Sequence, residues 1–238
     1  MGSSRLPGKV LMDIAGKSML YRTISQSQRA CTLTQLIVAT TVQSEDQAIT
    51  EELRRMGVAW TRGSSDNVLD RYLQAAREFD GEIIVRITSD CPLIDPNVID
   101  LVVSSFLASQ PPVHYASNTL LRTYPRGLDV EVFSREALEA AAAGASTAEQ
   151  REHVTPYLYQ EPSKFRLRAV TNPTDYSHYR WTVDTAEDLD FVREIHSRLD
   201  GDGDWSWQKI VGLLEREPGL VAINQHIQQK TLTQQIPS

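Results

Sequence analysis

Short, nearly all-apolar runs rich in β-branched residues alternate along this chain with stretches of helical periodicity. That alternation narrows the accessible folds to helices layered on a largely parallel sheet. Strands are predicted over 36–40, 58–61 and 83–88, and helices over 45–56, 68–79 and 98–107. Leu36, Ile37, Val38 and Ala39, like Ile83, Ile84 and Val85, lack the polar alternation of a half-solvated strand, as strands covered on both faces must. The expected class is therefore α/β, with a doubly wound, mostly parallel sheet. Two helix starts are well marked. Asp95 precedes Pro96 as N-cap and first helical residue, ahead of a stripe of Val98, Ile99, Val102, Val103 and Phe106. Thr185 with Asp188 forms a capping box ahead of Leu189, Val192, Ile195 and Leu199.

From 111 to 133 the texture changes to strand-like pieces over 113–117 and 128–133, joined by a polar loop with Pro125 and Gly127, which suggests an insertion. Helices over 136–143 and 148–159 and strands over 165–170 and 180–183 complete the pattern. No internal repeat is present. A length of 238 residues fits one domain of about 200 residues, spanning 1–200 with the insertion near 111–133. A C-terminal helix and a polar tail rich in Gln and Thr occupy 201–238, the part after Asn224 being expected to fray.

Charge excludes two classes of partner. With 24 Lys plus Arg against 31 Asp plus Glu the net charge is -7, the wrong sign for a nucleic-acid or anionic-membrane surface. No apolar run approaches the ~18 residues of a membrane span. Two cysteines, Cys31 and Cys91, and no charged-then-apolar leader make the cytoplasm the expected location. Only five of the basic residues are lysines, and two of them, Lys9 and Lys17, fall within the first 17 positions.

The first of these lysines closes a small-residue loop, Gly2, Ser3, Ser4, Arg5, Leu6, Pro7, Gly8, Lys9. Such a loop can wrap phosphates, because Gly and Ser expose backbone N–H groups while Arg and Lys offset charge. It is not a Walker loop: the glycine spacing is one residue too long, and Val10 stands where Ser or Thr would meet magnesium. As a chain terminus it can equally be an ordinary flexible segment. Asp90, in Thr88-Ser89-Asp90-Cys91-Pro92, follows a predicted central strand, where open α/β sheets bind ligands. Asp184 lies between a predicted strand and a capped helix. Two such carboxylates converging could hold magnesium together with substrate phosphates, or each could simply serve its local turn. Asp200, Asp202 and Asp204 fail as a calcium loop, since Trp205 takes the glycine position. Asp188 and Asp190 diverge on a helix surface. His114, His153, His178, His196 and His226 have no metal-ligand spacing.

Taken in order, the loop over 2–9, Ile-Ala-Gly-Lys at 14–17, Arg-Gly-Ser-Ser-Asp-Asn-Val-Leu-Asp-Arg-Tyr at 62–72, Thr-Ser-Asp-Cys-Pro-Leu-Ile-Asp at 88–95 and Trp-Thr-Val-Asp-Thr-Ala-Glu-Asp-Leu at 181–189 form one series. This series resembles the cytidylyltransferase-like proteins of polysaccharide biosynthesis, the spore-coat polysaccharide F type, over about residues 1–200. Arg126 to Phe133 and Arg151 to Tyr157 match the same type. These proteins are similar to synthetases of CMP-linked acidic sugars such as KDO.

The resemblance implies a GT-A-like nucleotide-diphospho-sugar transferase fold and transfer of CMP from CTP to a sugar, releasing pyrophosphate, in surface polysaccharide biosynthesis. It implies that Gly2, Ser3, Ser4, Arg5 and Lys9 cradle the triphosphate, with Lys9, Arg5, Asp90 and Asp184 catalytic. Asp90 and Asp184 would hold Mg²⁺; Arg62, Ser64, Asp66 and Arg71 would lie near the nucleotide. Asp129, Glu131, Glu152, His153 and Arg180 would line the sugar side, although Asp129 and Glu131 can equally be a satisfied structural pair. A homodimer is a further expectation. The family also places an apolar strand and an Ala-Arg pair ahead of the residue that is Met1 here. The chain as written is therefore expected to leave a gap between the strands over 36–40 and 83–88, through a start assigned too late or a truncation. Two other readings stay open: a glycosyltransferase using a nucleotide-sugar donor, against which Asp90 is followed by Cys-Pro rather than completing a D-x-D, and a noncatalytic homologue.

Overall fold

The protein is represented by a computed structural model that describes residues 2, 3, 5–199 and 206–229. The expectations for Ser4 and for Asp200, Asp202 and Asp204 lie outside the described residues. In chain order, a hairpin of β1 (Asp13–Ile14) and β2 (Lys17–Ser18) leads into α1 (Met19–Ser27). Next come β3 (Ile37–Thr41), α2 (Gln47–Met56), β4 (Ala59–Gly63), α3 (Val68–Glu78), β5 (Ile83–Arg86), α4 (Pro96–Leu107), β6 (Tyr115–Ser117) and β7 (Glu131–Ser134). The chain continues through α5 (Arg135–Gly144), α6 (Ala148–His153), α7 (Pro156–Gln160), β8 (Leu167–Ala169), α8 (Ala186–Arg198) and α9 (Trp207–Arg216).

Strands β3 and β4 pair in parallel from Ile37 opposite Ala59 to Thr41 opposite Gly63. A second sheet has the order β5-β7-β6-β8, in which β7 runs antiparallel to both neighbours and β8 parallel to β6. The α/β class is as predicted, and the covering of both faces is visible in the two-residue alternation. Tyr115 and Phe133, opposite each other, enter an apolar cluster with Leu69 and Leu73 of α3 and Ala137 and Leu138 of α5. The next pair, Ala116 and Val132, enters a different cluster with Val98, Ile99 and Val102 of α4, Val192 and Ile195 of α8 and Ile210 of α9.

No strand pairing joins β3 to β5 among the described residues. Ile37, Val38, Ala39, Ile84, Val85 and Arg86 on these two strands are half-buried.

Four expectations are corrected. The strands assigned to an insertion, β6 and β7, are the middle of the sheet; the reversal made by the 118–130 loop lets β7 enter between β5 and β6. The helix expected over 148–159 is two, because Val154 at φ +73° ends α6 and Pro156 opens α7 at its first position. Residues 180–183 form no strand; only a single bridge joins Arg126 to Arg180. Of the tail expected to fray after Asn224, residues 230–238 lie outside the described residues, and the part up to Gln229 is tied to the fold. Asn224 is buried and donates to the Arg180 carbonyl at 2.9 Å, and the Gln229 side chain accepts from Arg180 at 2.5 Å.

The bridge depends on Gly127, at φ +109°. A Cβ there would lie 2.7 Å from the backbone nitrogen of Thr182 and 2.7 Å from the carbonyl carbon of Trp181. Gly127→Ala is expected to cost about 1–3 kcal/mol from backbone strain alone, before the clash, as a lowered thermal midpoint. A second prediction concerns pH. His196 on α8 is buried near Arg22, and burial first, then that charge, lowers its imidazole to about 4 from 6.5. The unfolded chain binds this proton below 6.5 and the folded chain only near 4, so stability rises with pH across that window. Acidification from 6.5 to 4 should remove about 2–3 kcal/mol through this group, and His196→Gln should flatten that part of a melting-temperature profile.

Candidate active site

Three segments distant in sequence meet at the ends of β5 and α8. After β5 the backbone turns at 88–91, with Cys91 N–H donating to the Thr88 carbonyl at 3.3 Å. The Asp90 carbonyl then accepts from Val183 N–H at 2.9 Å and from Thr182 Oγ1 at 3.3 Å. Those bonds bring the Asp90 turn beside the residues that enter α8. Helix α8 is capped as predicted, the Thr185 side chain and Asp188 forming a reciprocal capping box.

The third segment is the N-terminal loop, where Gly8 at φ +70° turns the chain so that Lys9 opens a short 3₁₀ turn. Lys9 Nζ donates to Asp90 Oδ2 at 3.0 Å, to Asp184 Oδ1 at 3.0 Å and to the Val183 carbonyl at 2.6 Å. Asp184 Oδ2 meets Arg5 Nη2 at 2.9 Å and Arg180 Nη2 at 2.9 Å. Burial works against the charge on Lys9, but the two carboxylates more than offset it, and its ammonium titrates above the ordinary range. Burial likewise opposes ionisation of Asp184; Lys9, Arg180 and Arg5 outweigh it and hold the carboxyl below its usual range.

Behind this cluster Asp188, fully buried, accepts from Arg180 through both oxygens at 2.8 Å, from Asp184 N–H at 2.9 Å and from Thr185 N–H at 3.1 Å. The sequence showed Asp188 as a cap and set it on a helix surface, whereas the fold buries it completely. Its hold on Arg180 crosses the turn that carries Asp184, and no local pattern announces such a pair.

Beside the cluster lies a cavity of about 680 Å³, lined among others by Gly2, Val10, Thr40, Ser65, Arg71 and Ser89. It occupies the opening between the carboxyl end of β3 and the turn after β5, where open α/β sheets take ligands. Arg71 reaches the Ala39 carbonyl at 3.1 Å, and Arg62 bonds the carbonyls of Thr41 and Gln43 at 2.7 and 2.8 Å. Ser64 accepts from Asp66 N–H at 3.3 Å and Asn67 N–H at 3.1 Å, and Asp66 accepts from Ser65 at 3.0 Å. Ser3 accepts from Leu6 N–H at 3.3 Å, shaping its own loop.

The residues expected on the sugar side divide. Arg180 joins the cluster. Asp129 lies ahead of β7 rather than on it and accepts both ends of the Arg122 guanidinium, at 2.6 and 2.8 Å. Glu131 is buried opposite Arg86, pairs with it, and accepts from Tyr115 Oη at 2.7 Å and Thr155 Oγ1 at 2.5 Å. That is a saturated structural set. Glu152 and His153 close α6, and their side chains make no bond to the Lys9 cluster among the described residues.

The family model described as Cytidylyltransferase matches residues 1–224. The chain is 39% identical over 235 residues to a 3-deoxy-manno-octulosonate cytidylyltransferase of Chlorobium phaeovibrioides, covering 81% of this chain and 92% of that protein. It is 27% identical to the spore coat polysaccharide biosynthesis protein of Bacillus subtilis, with 92% of both chains covered. The solved structure of a cytidylyltransferase from Leptospira borgpetersenii superposes with a TM-score of 0.90 at 32% identity, covering 96% of this chain and 95% of that one. By sequence and fold, this chain belongs to the cytidylyltransferase family of nucleotidyltransferase enzymes.

Proposed function

We propose that the chain transfers CMP from CTP to a sugar in the building of a surface polysaccharide, with the Lys9, Asp90 and Asp184 cluster as its catalytic centre. The observation that carries this reading is the convergence of one lysine, two arginines and the carboxylates of Asp90 and Asp184 beside a cavity bordered by Gly2 and Arg71. Phosphoryl chemistry asks mainly for positioned groups and neutralised charge. A sugar hydroxyl oxygen forms the new bond to the α-phosphorus, and the bond from that phosphorus to the α,β-bridging oxygen breaks. Its electron pair departs with pyrophosphate, while the hydroxyl proton is lost to base or water. Lys9 and Arg5 serve as cations for the triphosphate, and Gly2 borders the cavity that receives it. Arg180, fixed by Asp188, holds Asp184 in place.

Magnesium fits the donor set. Two carboxylate oxygens each 3.0 Å from one nitrogen are at most about 6 Å apart, a span one hydrated ion bridges. No group of three or more acidic, His or Cys side chains is assembled among the described residues. That suits a cation which takes one or two carboxylates and completes its shell with phosphates and water. When bound, Mg²⁺ would be held by Asp90 and Asp184 and would supply charge to the triphosphate.

The test is pyrophosphate release on mixing the protein with CTP and candidate sugars. Asp90→Asn and Asp184→Asn should each lower turnover by at least about 100-fold with a cooperative melt retained. Lys9→Ala should weaken CTP binding or turnover by about 1.5–3 kcal/mol, the range for hydrogen bonds to charged groups. Full activity in all three variants contradicts the assignment.

A further inference from the structure

The loop between β6 and β7 carries two arginines in contrasting states. The Arg122 guanidinium is fully engaged by Asp129 at 2.6 and 2.8 Å. Arg126 is half-buried, and among the described residues its side chain makes no hydrogen bond or ion pair. Its backbone is nevertheless pinned. Arg126 N–H donates to the Tyr179 carbonyl at 3.0 Å, and the Arg126 carbonyl accepts from Trp181 N–H at 2.7 Å. Gly127, with no room for a Cβ, locks the crossing.

The charges around Arg126 are unbalanced. Burial, then Arg122 and Arg180, push its proton affinity down, while Asp129 and Asp184 pull the other way without restoring it. Both carboxylates are already committed, Asp129 to Arg122 and Asp184 to Lys9, Arg5 and Arg180. A fixed, partly desolvated guanidinium with no counter-ion of its own is costly until an anion reaches it. Its planar fork suits an oxyanion with two oxygens to offer.

We propose that Arg126 captures an oxyanion carried by a substrate, either a carboxylate on the sugar or a phosphate of the nucleotide, at the edge of the Lys9 cluster. This rests on the nucleotidyl-transfer reading above for the identity of the substrates, though not for the binding of the anion. The experiment is calorimetric titration of the full chain, Arg126→Gln and Arg126→Lys with three probes: inorganic tripolyphosphate, CTP and glucuronate. Arg126→Gln should weaken at least one of them by about 10- to 100-fold. Arg126→Lys, with the charge but not the fork, should recover only part, and keeps the test readable should Gln unsettle the loop. Weakened tripolyphosphate and CTP assign the group to the nucleotide; weakened glucuronate with CTP intact assigns it to an acidic sugar. Arg126→Gln equal to wild type for all three overturns the proposal, as does wild-type protein that binds none. Absence of pyrophosphate release with every sugar would instead contradict the proposed transfer, since these titrations need no turnover.

Discussion

The arrangement of the site hangs on the buried pair between Arg180 and Asp188. Asp188 is wholly enclosed and takes Arg180 through both oxygens at 2.8 Å. Two charges removed from water are tolerable only when their remaining hydrogen-bonding capacity is used. Here the second oxygen of Asp188 also receives the backbone N–H groups of Asp184 and Thr185, and the first receives Asn224 at 3.0 Å. One buried pair thereby fixes the helix start, the carboxylate that precedes it and the C-terminal segment that covers both. Removing either partner would leave an uncompensated buried charge, a loss of about 3–5 kcal/mol in comparable cases.

From that anchor the cationic character of the site follows. A chain with net charge -7 gathers Lys9, Arg5, Arg180, Arg126 and Arg122 around a few carboxylates at one end of its sheet. Their positions are set by backbone bonds between loops: Asp90 to Val183, Arg126 to Trp181, and the tight turn at Gly8 that delivers Lys9. Cations gathered at one end of an acidic chain, several of them shared among the same carboxylates, give anionic substrates one place to exchange those partners for their own oxygens.

The layered α/β class, the Asp95-Pro96 and Thr185 helix starts and the turn after β5 that carries Asp90 were legible in the sequence, because each rests on local periodicity or capping chemistry; Asp184 was expected after a strand and instead follows a segment with a single bridge. The pairing of Arg180 with Asp188 was not, since its value comes from burial that only the folded chain creates. Arg126 escaped for the same reason: a guanidinium without a partner looks like any other arginine until its neighbours are placed. Glu131 shows what register adds. The resemblance set it on the sugar side, with a structural pair to Asp129 held equally open, whereas the cross-strand register sets it against Arg86 as a buried ion pair. Residues 180–183 carry a strand-like pattern, yet the Gly127 crossing and the bond to Asp90 leave them a single bridge.

A crystal structure of the protein with CTP tests the central claim most directly. The account predicts the triphosphate in the opening between the Gly2 to Lys9 loop and the Asp90 turn, with Lys9 Nζ within about 3.2 Å of a phosphate oxygen. A nucleotide seated elsewhere, with Lys9 still held between Asp90 and Asp184, would contradict it.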